Sequence, residues 1–218
     1  MAELVNPARL ALPLGEAIFT QRAIRRLKSD PIPDEVLETI LQAARRAPSG
    51  GNLQPWRFLV VRDPELRRQL AECYVAAWWH RRRAMGITKA EDMPRDNSSG
   101  MAALYFTTDA EHFSRAPVHI LVCNVSQADN VMTACQNLML AARALGIGST
   151  ITRIGEPSDE RVHELFSIPP EVDATLCIPL GYPLGKFGDA ARKPMSELAF
   201  LDRWNQPGPW LDTLLTAR

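Results

Sequence analysis

The chain lacks net charge and shows no sign of a membrane class. Of its 218 residues, 25 are lysine or arginine and 25 are aspartate or glutamate. Without a basic excess, no global field draws the protein onto nucleic acid or anionic lipid, so neither partner is expected. The N-terminal stretch is broken by Pro13 and Glu16 and resembles neither a secretory signal nor a spanning helix. We therefore expect a cytoplasmic location.

Motifs for metals and redox-active cysteine pairs are also missing. The four cysteines, Cys73, Cys123, Cys135 and Cys177, never form a C-x-x-C pair, and the histidines show no H-E-x-x-H spacing. A metal site is therefore not expected. Cys123 and Cys177 fall in apolar runs, where a cysteine usually behaves as a small hydrophobic residue.

The densest basic run, residues 80–83, reads His-Arg-Arg-Arg. It could form a phosphate patch, or it could be the solvated last turn of a helix, where the helix dipole favours cations. We expect the helix end.

Apolar periodicity in the first half predicts a helix over 34–47 that starts after Pro33. A strand is predicted over 56–61, and Asp63-Pro64 should open a helix that runs through Trp79. Residues 84–115 have no steady period, and 80–115 as a whole is predicted to be a variable lid or substrate-covering segment.

The second half alternates strands and helices. The predicted elements are a strand over 118–125, a helix over 130–145 stopped by Gly146, a short strand over 149–152, a helix over 158–166 and a strand over 174–180. This alternation predicts an α/β or α+β sandwich in which helices cover a sheet. No repeat or linker divides the chain, so we expect one domain over 1–218.

Two segments carry the groups that a flavin cofactor needs. In Pro48–Trp56, two glycines would let backbone approach a planar ligand, while Ser49, Asn52 and Gln54 supply hydrogen-bonding groups. The alternative is a turn with local side-chain bonds. Residues 22–28 hold several cations, and alternate residues of an extended chain point the same way. The alternative there is a solvated surface.

These segments resemble the nitroreductase family, whose members are FMN-dependent NAD(P)H oxidoreductases. The likeness rests on residues 22–26 (Arg-Ala-Ile-Arg-Arg), 31–35 (Pro-Ile-Pro-Asp-Glu) and 43–56, and later on 136–146 and on 181–188 followed by Arg192-Lys-Pro194. It covers most of residues 18–204 and leaves mainly 80–115 unexplained.

The resemblance implies an α+β three-layer sandwich, with a mixed, mainly antiparallel sheet flanked by helices. It also implies an intertwined homodimer with shared active sites. The implied activity is transfer of a hydride from NADH or NADPH, through FMN, to a small electron-poor acceptor such as a nitroaromatic or a quinone, by a ping-pong mechanism.

The resemblance further implies which residues bind FMN. Arg25 would lie near the N1 and O2 edge of the ring, and the loop around Ser49 would approach from the neighbouring subunit. The stretch 151–153 would lie on the N5 side, although it could equally be an ordinary strand end. The implied set is Arg22, Ala23, Arg25, Pro48, Ser49, Gly50, Asn52, Gln54, Ile151, Thr152 and Arg153, with Arg192 and Lys193 as late phosphate-binding cations.

Other functions stay open at this point. Relatives on the same scaffold perform reductive dehalogenation or oxygen-dependent flavin cleavage. The chain could also be a flavin-binding or sensing module without turnover, or an interaction protein without FMN.

Two departures from the family's usual Arg-Arg-Ser-x-Arg opening predict weak FMN retention. This chain has Gln21 and Ala23 in that motif, so one phosphate cation and one hydroxyl are missing. Protein purified without added FMN should therefore be yellow but substoichiometric in flavin absorbance. Full occupancy that survives extensive dialysis would contradict this prediction.

Overall fold

The computed structural model describes residues 7–89, 92, 110–126 and 131–208. Its contacts divide the chain into two compact units, Met1–Gly188 and Asp189–Arg218. The first unit contains the whole sheet and all six described α-helices. Most of the predicted lid, including 93–109, lies outside the described residues. The single domain stays a prediction.

Helices and strands alternate along the first unit. The helices are α1 (Leu14–Thr20), α2 (Asp34–Ala44), α3 (Pro64–Ala84), α4 (Ala110–Ser114), α5 (Val131–Ala144) and α6 (Asp159–Phe166). The strands are β1 (Trp56–Val61), β2 (Val118–Asn124), β3 (Gly148–Ser149), β4 (Thr152–Arg153) and β5 (Asp173–Gly181). The second unit contains a 3-10 turn, Met195–Glu197. Helix α1 was not predicted, and the strand predicted over 149–152 is divided into β3 and β4.

The helix boundaries follow from local chemistry. The Asp63 carboxylate accepts hydrogen bonds from the backbone amides of Glu65 and Leu66, both at 2.9 Å, at the start of α3. Helix α5 ends before Gly146, whose φ of +74° suits a residue without a side chain, and the Ile147 amide then closes the last turn. The basic run 80–83 lies at the end of α3, as predicted, but Arg81 and Arg82 are half-buried, and of its arginines only Arg83 has the expected solvent exposure.

The sheet has the order β1-β2-β5-β3, and β4 also pairs with β5. These pairings are all antiparallel, and one isolated parallel bridge joins Ala23 to Ser149. Side chains alternate along β2: Ile120 packs in the core shared with α2 and α5, while Leu121 packs in the core shared with α3 and α6. The predicted three-layer α+β sandwich is confirmed.

Two glycines bring an extended segment unusually close to the sheet. Gly148 and Gly181 are partners in the pairing of β3 with β5. A Cβ atom on Gly148 would lie 2.9 Å from both Ile24 Cγ2 and Leu27 Cδ2. One on Gly181 would lie 3.0 Å from Leu27 Cβ and from Pro117 Cδ. The absence of side chains at these two positions therefore makes room for residues 24–27.

Backbone hydrogen bonds hold this segment in place. The Ile24 amide donates to the Ser149 carbonyl at 2.9 Å, and the Lys28 amide donates to the Tyr182 carbonyl at 2.8 Å. Ile24 and Leu27 are buried. Residues 23–28 therefore run along the edge of the sheet, and their outward side chains are fixed relative to β3.

The cysteines are free and buried. Burial raises the pKa of Cys123 and of Cys135 to about 11, so these groups are protonated thiols at neutral pH. Among the described residues, no group of three or more histidine, cysteine, aspartate or glutamate side chains could hold a metal ion. None of the described helices combines the length and apolar character needed to cross a membrane.

We expect Gly181→Ala to destabilise the protein by about 1 to 3 kcal/mol. The new methyl group would meet Leu27 Cβ, Pro117 Cδ and the Lys28 carbonyl oxygen, and none of these atoms can rotate away. The matched control is Gly185→Ala, since a Cβ there meets nothing within 4 Å, and its free energy of unfolding should stay within about 0.5 kcal/mol of the parent. Urea denaturation measures both. Equal stability of the two variants would show that the close approach does not require glycine.

Candidate functional site

The extended segment presents its arginines at the edge of the sheet. Ile24 points into the core, while Arg22 and Ala23 are exposed and Arg25 is half-buried. The bridge from Ala23 to Ser149 brings these side chains beside the strand that leads into residues 151–153. The structure thus brings together two of the predicted flavin-binding segments, 22–25 and 151–153.

Arg25 is a partly desolvated cation without a counter-ion among the described residues. Burial lowers the pKa of its guanidinium, and the nearby Tyr74 opposes that shift. Within the described part of the chain, Arg25 makes no hydrogen bond or ion pair. Arg143, by contrast, donates to Glu16 at 3.1 Å and to Thr20 at 2.8 Å. Since removing a cation from water is costly unless it is paired, the position of Arg25 suits an anionic ligand.

Tyr74 is a neighbour of this site that sequence reasoning missed. It lies on α3, is 6% exposed and stacks on Phe113 with 4.2 Å between ring centroids. Burial raises the pKa of its phenol to about 12, although the positive charges of Arg25 and Arg81 lower it. The phenol is therefore protonated at neutral pH. In the sequence it is one of several apolar residues on the core face of α3, and nothing distinguishes it from a packing residue.

The stretch 151–153 is partly a strand, because Thr152 and Arg153 form β4. Thr152 Oγ1 donates to the Cys177 carbonyl at 2.8 Å, and Arg153 Nη1 donates to Thr175 Oγ1 at 3.0 Å. Ile151 is half-buried just before the strand. These contacts fix the stretch against β5, and its predicted approach to the flavin stays a prediction.

The loop over 48–54 satisfies several of its polar groups locally. The Gln54 amide donates to Ser49 Oγ at 3.0 Å, and Gln54 Nε2 donates to Asn52 Oδ1 at 3.0 Å. Asn52 and Gln54 both have positive φ values, of 56° and 47°. Such conformations are uncommon outside glycine and cost of order 1 kcal/mol or more each. The local side-chain bonds support the interpretation of this loop as a self-contained turn. The backbone strain is of the kind found at functional sites and supports its interpretation as a flavin-binding loop.

Contacts anchor this loop to α5. Thr133 Oγ1 donates to the Pro48 carbonyl at 3.0 Å, and Gly50 begins a 3-10 turn that is exposed to solvent. In the described part of the chain, no hydrogen bond joins the loop to residues 22–25 or 151–153. That arrangement is compatible with the prediction that the loop approaches the flavin of a neighbouring subunit.

The remaining predicted residues have contacts of other kinds. Arg192 and Lys193 belong to the second unit, where Lys193 lies 3.3 Å from Glu197 and Arg192 donates to the Ala191 carbonyl. Their role as phosphate ligands stays a prediction. Gln21 donates to Met139 Sδ at 3.8 Å. The residue that replaces a family arginine therefore directs its side chain towards α5.

We expect Arg25→Met to raise the free energy of unfolding of the flavin-free protein by about 1 kcal/mol, because the variant keeps an apolar stem and removes an unpaired, partly buried charge. Arg143→Met is the matched control and should lower stability, since it breaks contacts with Glu16 and Thr20 and a cation–π contact of 4.2 Å with Phe187. Urea denaturation of the flavin-free variants and parent measures these changes in the free energy of unfolding. A loss of stability in Arg25→Met would mean that Arg25 serves the fold.

Comparisons with known proteins agree with this geometry. A model of the nitroreductase family matches residues 18–182. A protein of Archaeoglobus fulgidus named "Putative NADH dehydrogenase/NAD(P)H nitroreductase" is 36% identical over 169 residues, which cover 76% of this chain and 83% of that protein. An iodotyrosine deiodinase of Thermotoga neapolitana is 30% identical over 172 residues, with 75% and 84% covered.

A solved structure, oxidised iodotyrosine deiodinase bound to FMN and 3-iodo-L-tyrosine, has a TM-score of 0.67 and 26% identity, and the match covers 89% of this chain and 100% of that chain. The family model spans well over half of the chain, from the arginine segment to the residue after β5, and the relatives match most of their own length. The chain therefore belongs to the nitroreductase family.

Proposed function

We propose that this protein is an FMN-dependent oxidoreductase that passes a hydride from NADH or NADPH to a small electron-poor acceptor by a ping-pong mechanism. When bound, FMN supplies the hydride chemistry, and the protein contributes binding, orientation and charge. The observation that carries the proposal is the Arg25 guanidinium, which is half-buried and unpaired among the described residues at the edge of the sheet.

The chain's residues fit this cofactor. The isoalloxazine ring gains negative charge at its N1 and O2 edge on reduction, and the cation of Arg25 would stabilise that charge in a poorly solvated position. Arg22 and Ala23 would line the same ligand, and the backbone of Ile151, Thr152 and Arg153 would border its N5 side. Arg192 and Lys193 would supply positive charge to the phosphate.

Exposed apolar residues support the homodimer with shared sites. Leu14 and Phe19 on α1 are 69% and 70% exposed, and Leu53 in the loop is 65% exposed. Large apolar side chains in such positions are typical of surfaces that another protein covers. In the dimer, the loop with Ser49, Asn52 and Gln54 would reach the flavin of the partner subunit.

Reductive dehalogenation is a second candidate for the reaction. It is favoured by the 30% identity to a protein named iodotyrosine deiodinase and by the likeness to a structure with bound 3-iodo-L-tyrosine. Nitroaromatics, quinones, activated alkenes and halogenated aromatics are therefore the acceptors to compare. A flavin-binding module without turnover differs from both candidates, because it would not accept electrons from NAD(P)H.

We expect anaerobic mixing of the FMN-reconstituted protein with NADH or NADPH in a stopped-flow spectrophotometer to bleach the oxidised flavin band. Arg25→Gln should slow this reduction by about tenfold or more, since hydrogen bonds to charged groups contribute about 1.5 to 3 kcal/mol. The control is Arg68→Gln on α3, which removes an arginine paired with Glu65 and Glu72 at the surface and should react at the parental rate.

A flavin band that persists with both nucleotides would contradict turnover and support the sensing module. A colourless protein that does not take up added FMN would contradict the cofactor itself. Reoxidation of the bleached protein by each acceptor class then identifies the reaction.

A further inference from the structure

A cavity of about 430 Å³ lies between the end of α3 and β4. Its lining is rich in basic side chains, namely His80, Arg81 and Arg153, and it also includes Glu156 and Thr175. A cavity of this size is within the range that small molecules occupy in proteins. It begins where β4 ends, next to the stretch proposed to border the flavin.

The arginines of this cavity are held in fixed orientations. Arg81 Nη1 donates to the Ile154 carbonyl at 3.1 Å, and Arg81 Nη2 donates to the Arg153 carbonyl at 2.9 Å. Arg153 itself is held by Thr175. The description of residues 80–83 as a solvated helix end therefore suits the exposed Arg83 but not Arg81, which is half-buried. A ligand would meet guanidinium groups whose orientation has already been set, which lowers the entropy cost of binding.

No ion pair between described residues involves the cations of this cavity. Within the described part of the chain, Arg81, Arg82 and Arg153 have no carboxylate oxygen within 4 Å. Five other arginines do have one: Arg62, Arg68, Arg115, Arg143 and Arg161.

Like charges surround Arg81. Burial lowers the pKa of Arg81, Tyr74 opposes the shift, and the neighbouring Arg82 and Arg153 lower the pKa further. Arg81 and Arg153 line the cavity together with Glu156, while Arg82 and Asp159 act on Arg81 from outside this lining. An anion bound between Arg81 and Arg153 would relieve the repulsion between these two arginines.

We propose that this cavity binds the 2′-phosphate of NADPH and so makes NADPH the preferred electron donor over NADH. The proposal rests on the proposed function, because it assumes that a nicotinamide ring meets the flavin beside 151–153. A dinucleotide carries its reducing ring at one end and the 2′-phosphate near the other, so the two occupy different parts of the surface. Guanidinium groups suit phosphate recognition, because their planar donors match two phosphate oxygens at once.

The test measures nucleotide binding to the full-length, FMN-reconstituted protein by isothermal titration calorimetry. The probes are 2′,5′-ADP, which carries the phosphate, and 5′-AMP, which lacks it. We expect 2′,5′-ADP to bind at least about tenfold more tightly. Arg153→Gln should reduce this preference to within about threefold, and Arg153→Lys should retain part of it. His80→Gln removes a second lining side chain without altering β4 and should also reduce the preference.

The matched control is Arg161→Gln on α6, an exposed arginine paired with Glu72, which should keep the parental preference. Equal affinities for the two nucleotides in the parent, or an equal loss in the control, would overturn the proposal. Binding of inorganic phosphate without a preference between the nucleotides would leave a simple anion site and would also overturn the assignment to NADPH. The probes contain no nicotinamide, so this outcome is independent of whether NAD(P)H bleaches the flavin.

Discussion

The close approach of residues 24–27 to the paired glycines Gly148 and Gly181 is the constraint on which the candidate site depends. Side chains at either glycine would fall at about 3 Å from Ile24, Leu27 or Pro117. Because the glycines leave this space free, Ile24 and Leu27 bury their side chains against the edge of the sheet. The intervening residues must then face outward, which fixes the position of Arg25 relative to Ser149 and to the stretch 151–153.

The packing places arginine side chains where an anionic ligand could bind them. Five arginines in the described part of the chain are paired with carboxylates, and exposed pairs of this kind contribute little to stability. Arg25 is half-buried without a counter-ion among the described residues, and Arg81 in the cavity beside β4 donates to two backbone carbonyls rather than to a carboxylate. A protein keeps unpaired cations of this kind at a cost in stability. Anionic ligands offset that cost when they bind.

Much of this architecture could be predicted from local pattern. The strand over 56–61 and the start of α3 at Pro64 agree with the sequence reading, because alternation, capping and proline placement are local signals. Helix α1 could not be found, because its seven residues are too few to show a helical period. Its position against α5 is fixed by contacts such as that between Glu16 and Arg143, which are far apart in the sequence.

The site was predictable in part, through motifs rather than geometry. The resemblance led to residues 22–25, 48–54 and 151–153, and the structure brings the first and third of these together. Tyr74 and the fixed orientation of Arg81 were not predictable, because both depend on where α3 lies relative to β4. The proposed contribution of a second subunit came from the family resemblance alone, since a loop that serves a partner looks like any exposed loop.

The most direct measurement is a crystal structure of the FMN-reconstituted protein. We predict a homodimer in which the Arg25 guanidinium lies within hydrogen-bonding distance of the N1 and O2 edge of the flavin. It also predicts that the loop bearing Ser49 reaches that flavin from the other subunit. A flavin bound elsewhere, or an Arg25 side chain that points away from it, would contradict the assignment of Arg25 to the flavin.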